Sequence, residues 1–154
     1  YLPVETARDM DDAVAHHIGR MDVAVFAAAV ADYAPRELAQ EKIKKTGETM
    51  TLELVRTPDV LGAARGRMGF EGTLVGFAAE TENLEVNARD KLERKGCDLV
   101  IANDVSKPGL GFDSDHNEVM LVFPDRTEPL QQGSKRDLAR TLVTRISELR
   151  AAGA

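Results

Sequence analysis

Apolar and polar positions follow two periods along this chain, and the switches between them outline its elements. Thr6 and Asp9 form a helix-start signal, with Met10, Val14 and Ile18 following on one stripe. Residues 22–30 are almost wholly apolar, the pattern of a central parallel strand buried on both faces. Residues 34–48 are polar and contain Pro35 and Gly47, which predicts a loop or flap. Met50, Leu52 and Leu54 alternate with Thr51 and Glu53 as a strand would. Thr57, Pro58 and Asp59 supply a capping hydroxyl, a first-turn proline and an acid near the positive helix end. The helix they start runs to about residue 68, weakened by Gly62 and Gly66.

A buried strand follows at 73–79, then a charged amphipathic helix over 84–95, stopped by Gly96. Residues 98–102 form a short apolar strand, and 103–116 an irregular loop rich in Asp, Gly and Ser. Residues 118–123 and 127–130 read as a strand pair around the turn Pro124-Asp125-Arg126. Ser134 caps a last helix to about residue 150, with Leu138, Leu142, Ile146 and Leu149 inward. This order predicts an α/β fold: a Rossmann-like, mostly parallel sheet with helices on both faces, a short antiparallel strand pair and a lysine-rich flap.

The 154 residues fit one domain, 1–154, with 43% hydrophobic residues to build a core. The chain opens on Tyr1-Leu2-Pro3-Val4 and a helix, without the βα unit that normally carries a glycine-rich phosphate turn, as if it began inside a domain. A net charge of −6 argues against non-specific nucleic-acid binding. Neither a membrane-length apolar run nor a signal peptide is present, and a cytoplasmic location is expected. The single Cys97 cannot form an internal disulfide and reads as a buried structural thiol.

The candidate chemistry centres on Lys42-Ile43-Lys44-Lys45. Three ammonium groups in four residues repel one another unless an anion lies opposite. A solvated loop is the plainer reading of such a cluster. Asp32 at the end of the predicted first strand, and the capped helix start at 57–59, shift the balance toward a polyphosphate, because open α/β sheets hold ligands at strand ends. Lys91 and Lys95, four apart beside Asp90 and Glu93, read alone as a solvated ion-paired face, and Phe77 alone as core. Asp113, Asp115 and Asn117 mimic a calcium loop, which fails at Glu118 and Pro124, where glycine and glutamate are needed. His16 and His17 face different directions on a helix, and no metal site is assigned. Neither a Gly-x-Ser-x-Gly elbow nor a Walker lysine motif occurs.

Several ordered strings together resemble phosphopantothenate–cysteine ligase, the synthetase half of the bifunctional bacterial coenzyme A biosynthesis enzyme. They are Ala28-Ala29-Val30-Ala31-Asp32-Tyr33, Glu41-Lys42-Ile43-Lys44-Lys45, Thr57-Pro58-Asp59-Val60-Leu61 and Val75-Gly76-Phe77-Ala78-Ala79-Glu80-Thr81. Ala88 to Lys95, Ala102-Asn103-Asp104-Val105 and Gly111-Phe112-Asp113-Ser114-Asp115 continue the match, which covers roughly residues 4–148. The resemblance implies a Rossmann-like homodimer that uses CTP with magnesium. It would attach CMP to the carboxylate of 4′-phosphopantothenate, and cysteine would then displace CMP to give the amide. FMN would belong only to the family's decarboxylase half, which this sequence does not contain.

By the same resemblance, Lys42 is the catalytic flap lysine, with Lys44 and Lys45 beside it on the flap. Phe26, Ala27 and Ala28 match the strand end that reads cytosine, although Phe26 stands where a smaller residue is expected. Asp32 matches an acid on the ribose, and Pro58, Asp59, Val60 and Leu61 a helix start facing the triphosphate. Phe77, Lys91 and Lys95 match further nucleotide contacts. The family's upstream glycine- and serine-rich turn and coupling asparagine have no counterpart in this sequence. Two rivals remain open at this point: a dinucleotide-dependent oxidoreductase on a similar sheet, and a nucleotide-binding or dimerisation module without chemistry.

Overall fold

The computed structural model describes residues 1–45, 47–106, 114–130 and 132–153. The string Gly111-Phe112-Asp113 therefore lies outside the described residues. In chain order the elements are α1 (Ala7–His17), a 3-10 turn (Ile18–Arg20), β1 (Val23–Phe26), β2 (Tyr33–Pro35), β3 (Leu54–Arg56), α2 (Val60–Ala63) and β4 (Thr73–Glu80). There follow α3 (Leu84–Lys95), β5 (Leu99–Asp104), β6 (His116–Asn117), β7 (Val119–Val122), β8 (Thr127–Pro129), β9 (Gly133–Ser134) and α4 (Lys135–Ala152).

The main sheet has five strands in the order β1-β4-β5-β7-β8. β1, β4 and β5 pair in parallel, β7 runs against β5, and β8 against β7. All but β7 therefore point the same way, so the mostly parallel expectation holds, with the reversed strand coming from the 119–129 hairpin. β2 pairs antiparallel with β3, and β6 with β9. The β6–β9 pair has no counterpart in the sequence reading: two-residue strands carry no period.

Side-chain alternation along the strands divides the core into two layers. Leu74, Ala78, Val100, Ala102 and Val122 meet Val14 and Ile18, Leu61 and Ala64, and Ala88 and Leu92 on one face. Val75, Leu99, Ile101, Val119 and Leu121 meet Leu138, Leu142 and Ile146 of α4 on the other. Helices thus cover both faces. Their ends are built as the sequence dictates. Thr6 and Asp9 close a reciprocal capping box on α1, Ser134 accepts from the Asp137 N–H at the start of α4, and Gly96 ends α3 at φ +64°.

Three expectations change. The strand expected over 22–30 stops at Phe26, and β1 is an edge strand whose Val25 is 49% exposed, not a central strand buried on both faces. Among the described residues β1 pairs only with β4. The helix expected from 57 to 68 is four residues long, and residues 64–68 continue as turns. Gly62 and Gly66 supply too little helix preference to carry it further. The strand expected at 50–54 shifts to Leu54–Arg56, leaving Met50 and Leu52 exposed on the stretch between β2 and β3.

Candidate functional site

A groove of about 1050 Å³ runs along β1, beside Met10, Val14 and Ile18, and on past the carboxyl end of β1, the kind of place where parallel sheets hold ligands. Phe26, Ala27, Ala28 and Asp32 form one wall as the chain leaves β1. Pro58, Asp59, Val60 and Leu61 form the second, and Phe77, Lys91 and Lys95 the third. Three long sequence separations thus converge on one space. Tyr33, Arg56 and Arg94 also line it and were not singled out by sequence reasoning. Arg94 was within reach of that reasoning, since it lies three residues after Lys91 and so on the same helix face.

Hydrogen bonds fix the first wall to the second. The Thr57 hydroxyl donates to the Ala31 carbonyl, and the Thr57 N–H to the Asp32 carbonyl at 3.0 Å. Thr57 therefore does not cap α2. Asp59 does, accepting from the Gly62 N–H at 2.9 Å. Tyr33 faces Arg56 across the β2–β3 ladder, and its side chain, ahead of the Asp32 charge, holds the Arg56 guanidinium above its ordinary value.

The α3 wall is cationic, and each of its charges is oriented. Lys91 Nζ donates to the Phe77 carbonyl at 2.7 Å. Burial lowers the Lys91 ammonium from its ordinary pKa, with Glu80 opposing and Lys95 and Arg94 adding to the fall. Arg94 Nε donates to Asp90 at 3.3 Å. Lys95 pairs with the Asp59 carboxylate, and only 10% of its side chain is exposed. Burial pushes Asp59 up, but the bonds from Lys95 and the Gly62 N–H outweigh it and hold the carboxyl below the usual range. The plainer reading of Lys91 and Lys95 as a solvated ion-paired face is thus replaced by directed, half-buried cations.

Phe77 serves both of its readings, since it packs against the α4-side core and lines the groove. Cys97 is buried and its thiol is pushed up to about 11, chiefly by burial and next by the Asp98 charge, as a structural cysteine. Lys42, Lys44 and Lys45 are exposed on the stretch between β2 and β3 and are not among the groove-lining residues. Both ends of that stretch adjoin the groove through Tyr33 and Arg56. Lys42 lies seven positions after Pro35, a tether of up to about 23–25 Å when extended. Among the described residues no group of three His, Cys, Asp or Glu is arranged to hold a metal, and no helix is long and apolar enough to cross a membrane.

Comparison with known proteins gives a consistent picture. The coenzyme A biosynthesis bifunctional protein CoaBC of Vibrio vulnificus is 40% identical over 150 residues, covering 96% of this chain and 37% of that protein. The chain thus spans little more than a third of the length of the curated relatives it matches. A crystal structure of the C-terminal domain of a coenzyme A biosynthesis bifunctional protein CoaBC superposes with a TM-score of 0.75 at 33% identity, covering 96% of this chain and 64% of that one. A mutant Cab2 in complex with phosphopantothenate-cysteine shares the fold, with a TM-score of 0.71 at 21% identity, covering 99% of this chain and 54% of that one. The profile of the family described as DNA/pantothenate metabolism flavoprotein C-terminal domain matches residues 1–149, and the chain belongs to that family.

Proposed function

We propose that the groove binds the magnesium complex of CTP and that this chain carries the nucleotide-handling part of a phosphopantothenate–cysteine ligase of coenzyme A biosynthesis. The observation that carries this reading is the convergence of the β1 exit, the start of α2 and the cationic face of α3 on one groove. The small side chains of Ala27 and Ala28 leave backbone groups open to a pyrimidine edge. Asp32 stands at the right rim for ribose hydroxyls, and its carboxylate can also meet a magnesium ion that arrives on phosphates, which needs only one or two protein carboxylates. Lys91 and Lys95, with the α2 start at Pro58 to Leu61, face the phosphate tail, and Phe77 is a further nucleotide contact.

In the first step a carboxylate oxygen of 4′-phosphopantothenate attacks the α-phosphorus of CTP. The bond to the β-phosphate oxygen breaks and pyrophosphate leaves. Charge builds on the phosphate oxygens in that transition state, and fixed cations there supply the largest catalytic term. Lys42, swung in on its tether, is the catalytic member, and Lys44 and Lys45 raise the local positive potential. In the second step the amine of cysteine attacks the acyl carbon, CMP leaves, and the amide forms with loss of a proton.

The exposed Leu38, Met50 and Leu52 along the arm between β2 and β3, with Leu54 at the start of β3, support pairing with a second copy, as a homodimer. A cytoplasmic location and indifference to nucleic acid and membranes complete the reading.

The test is pyrophosphate release. The chain with CTP, magnesium and 4′-phosphopantothenate should liberate pyrophosphate before any cysteine is added, and Lys42→Ala should slow this about 10²–10³-fold. Preferential binding of NAD, with no pyrophosphate, would overturn the reading in favour of an oxidoreductase. Binding of CTP without pyrophosphate release would point to a nucleotide-binding module.

A further inference from the structure

The three cations of the α3 wall are not held alike. Lys91 donates to a neutral carbonyl, that of Phe77, and no carboxylate among the described residues bonds to it. Lys95 is matched by a full negative charge, the carboxylate of Asp59. That pair spans the groove between the start of α2 and the end of α3, 36 residues apart in sequence. The ammonium is almost enclosed, with 10% of the Lys95 side chain exposed, while 59% of the Asp59 side chain faces solvent.

The carboxylate is built into this position. One oxygen of Asp59 accepts from the Gly62 N–H at 2.9 Å, and the other meets Lys95. A Cβ at position 62 would come within 2.7 Å of the Asp59 Cγ, so glycine there lets the carboxylate fold back over the first turn. The chain thus carries its own anion at the wall where the proposed phosphate tail would lie.

We infer that Asp59 is a built-in competitor for Lys95, which a nucleotide's phosphate tail must displace or share, so that Asp59 tunes affinity according to ligand charge. This rests on the reading of the groove as a nucleotide site. Asp59 itself touches no reacting atom in this role; it acts through Lys95. A neutral ligand feels little of the competition, whereas each added phosphate brings more negative charge toward the Asp59 carboxylate.

The variant Asp59→Asn isolates the charge. Asparagine caps a helix start about as well as aspartate, so the bond to the Gly62 N–H is retained. Cytidine, CMP and CTP are titrated into both proteins by calorimetry at fixed magnesium and two salt concentrations. Asp59→Asn should tighten CTP by about fivefold at low salt, the size of one partly screened charge contact. CMP should gain less and cytidine nothing, and the gain should shrink as salt rises. Unchanged CTP affinity, or an equal change for all three ligands, would overturn the inference while leaving the groove a nucleotide site. Failure of the unaltered protein to bind CTP would instead remove the functional reading, and this inference with it.

A second measurement needs no variant. With lysines reductively dimethylated using carbon-13, the Lys95 methyl signal should shift on adding CTP, and tripolyphosphate alone should reproduce part of that shift. An unmoved Lys95 signal at saturating CTP overturns the exchange.

Discussion

Lys91 is where the chemistry of the groove becomes measurable by pH. Its ammonium lies below its ordinary pKa because burial penalises the charge, and a phosphate beside it would restore the charged form. The sign follows. CTP affinity is full while Lys91 is protonated and falls as pH rises through its lowered folded value, earlier than for a free lysine at about 10.4. Calorimetric titration into the alkaline range should show that fall, and Lys91→Arg should move its onset to higher pH because guanidinium stays charged. A flat profile for the unaltered protein contradicts the assignment. Cys97 gives a second test at this scale. With its thiol raised to about 11, it should resist iodoacetamide at neutral pH until the chain is unfolded; rapid labelling of the native chain would show that it is accessible. The strings that named Lys91, Lys95 and Phe77 were legible because spacing and residue type survive without coordinates. What each side chain holds was not: the Phe77 carbonyl and Asp59 come from elements 14 and 36 residues away.

Elements with strong periods and good caps were readable. The starts of α1 and α4 and the end of α3 fall where their caps say, because a side-chain hydrogen bond or a left-handed glycine fixes each of these boundaries. Gly96 shows the strength of that constraint. It holds φ +64°, and an added Cβ would meet the Arg65 Cγ at 3.1 Å. Gly96→Ala should therefore destabilise the fold by about 1–2 kcal/mol in urea unfolding, with little change at the groove. No measurable loss would contradict the cap. The elements that were misread are those governed by neighbours rather than by their own pattern. β1 is apolar enough for a central strand, yet it lies at an edge of the described sheet and ends where the chain turns into the groove. α2 carries a proline, an acid and a hydroxyl in the order of a helix start, but Thr57 spends its hydroxyl on Ala31 and Asp59 takes the cap. In both cases the departure from a regular element builds a wall of the site, as expected where function competes with local preference.

For the molecule as a whole, the mostly parallel sheet with helices on both faces followed from alternating strands and helices, and the arm between β2 and β3 from its polar composition rather than from any period, while the strand order came only with the structure. Its exposed Leu38 and Leu52 give a test of assembly. The chain should sediment as a dimer, and Leu38→Asp with Leu52→Asp should shift it toward monomer; a monomeric unaltered chain at tens of micromolar contradicts the pairing. The same arm carries Lys42, Lys44 and Lys45, so trypsin should cut there quickly in the free protein and slowly once CTP and magnesium are present. Equal cleavage in both conditions would mean that the arm does not close. These expectations meet in one experiment, calorimetric titration of magnesium–CTP into the unaltered chain and Lys42→Ala, with NAD as the competing ligand. The account predicts saturable CTP binding that weakens about tenfold or more on loss of the Lys42 charge, and no comparable binding of NAD. CTP affinity indifferent to Lys42, or a preference for NAD, would contradict it.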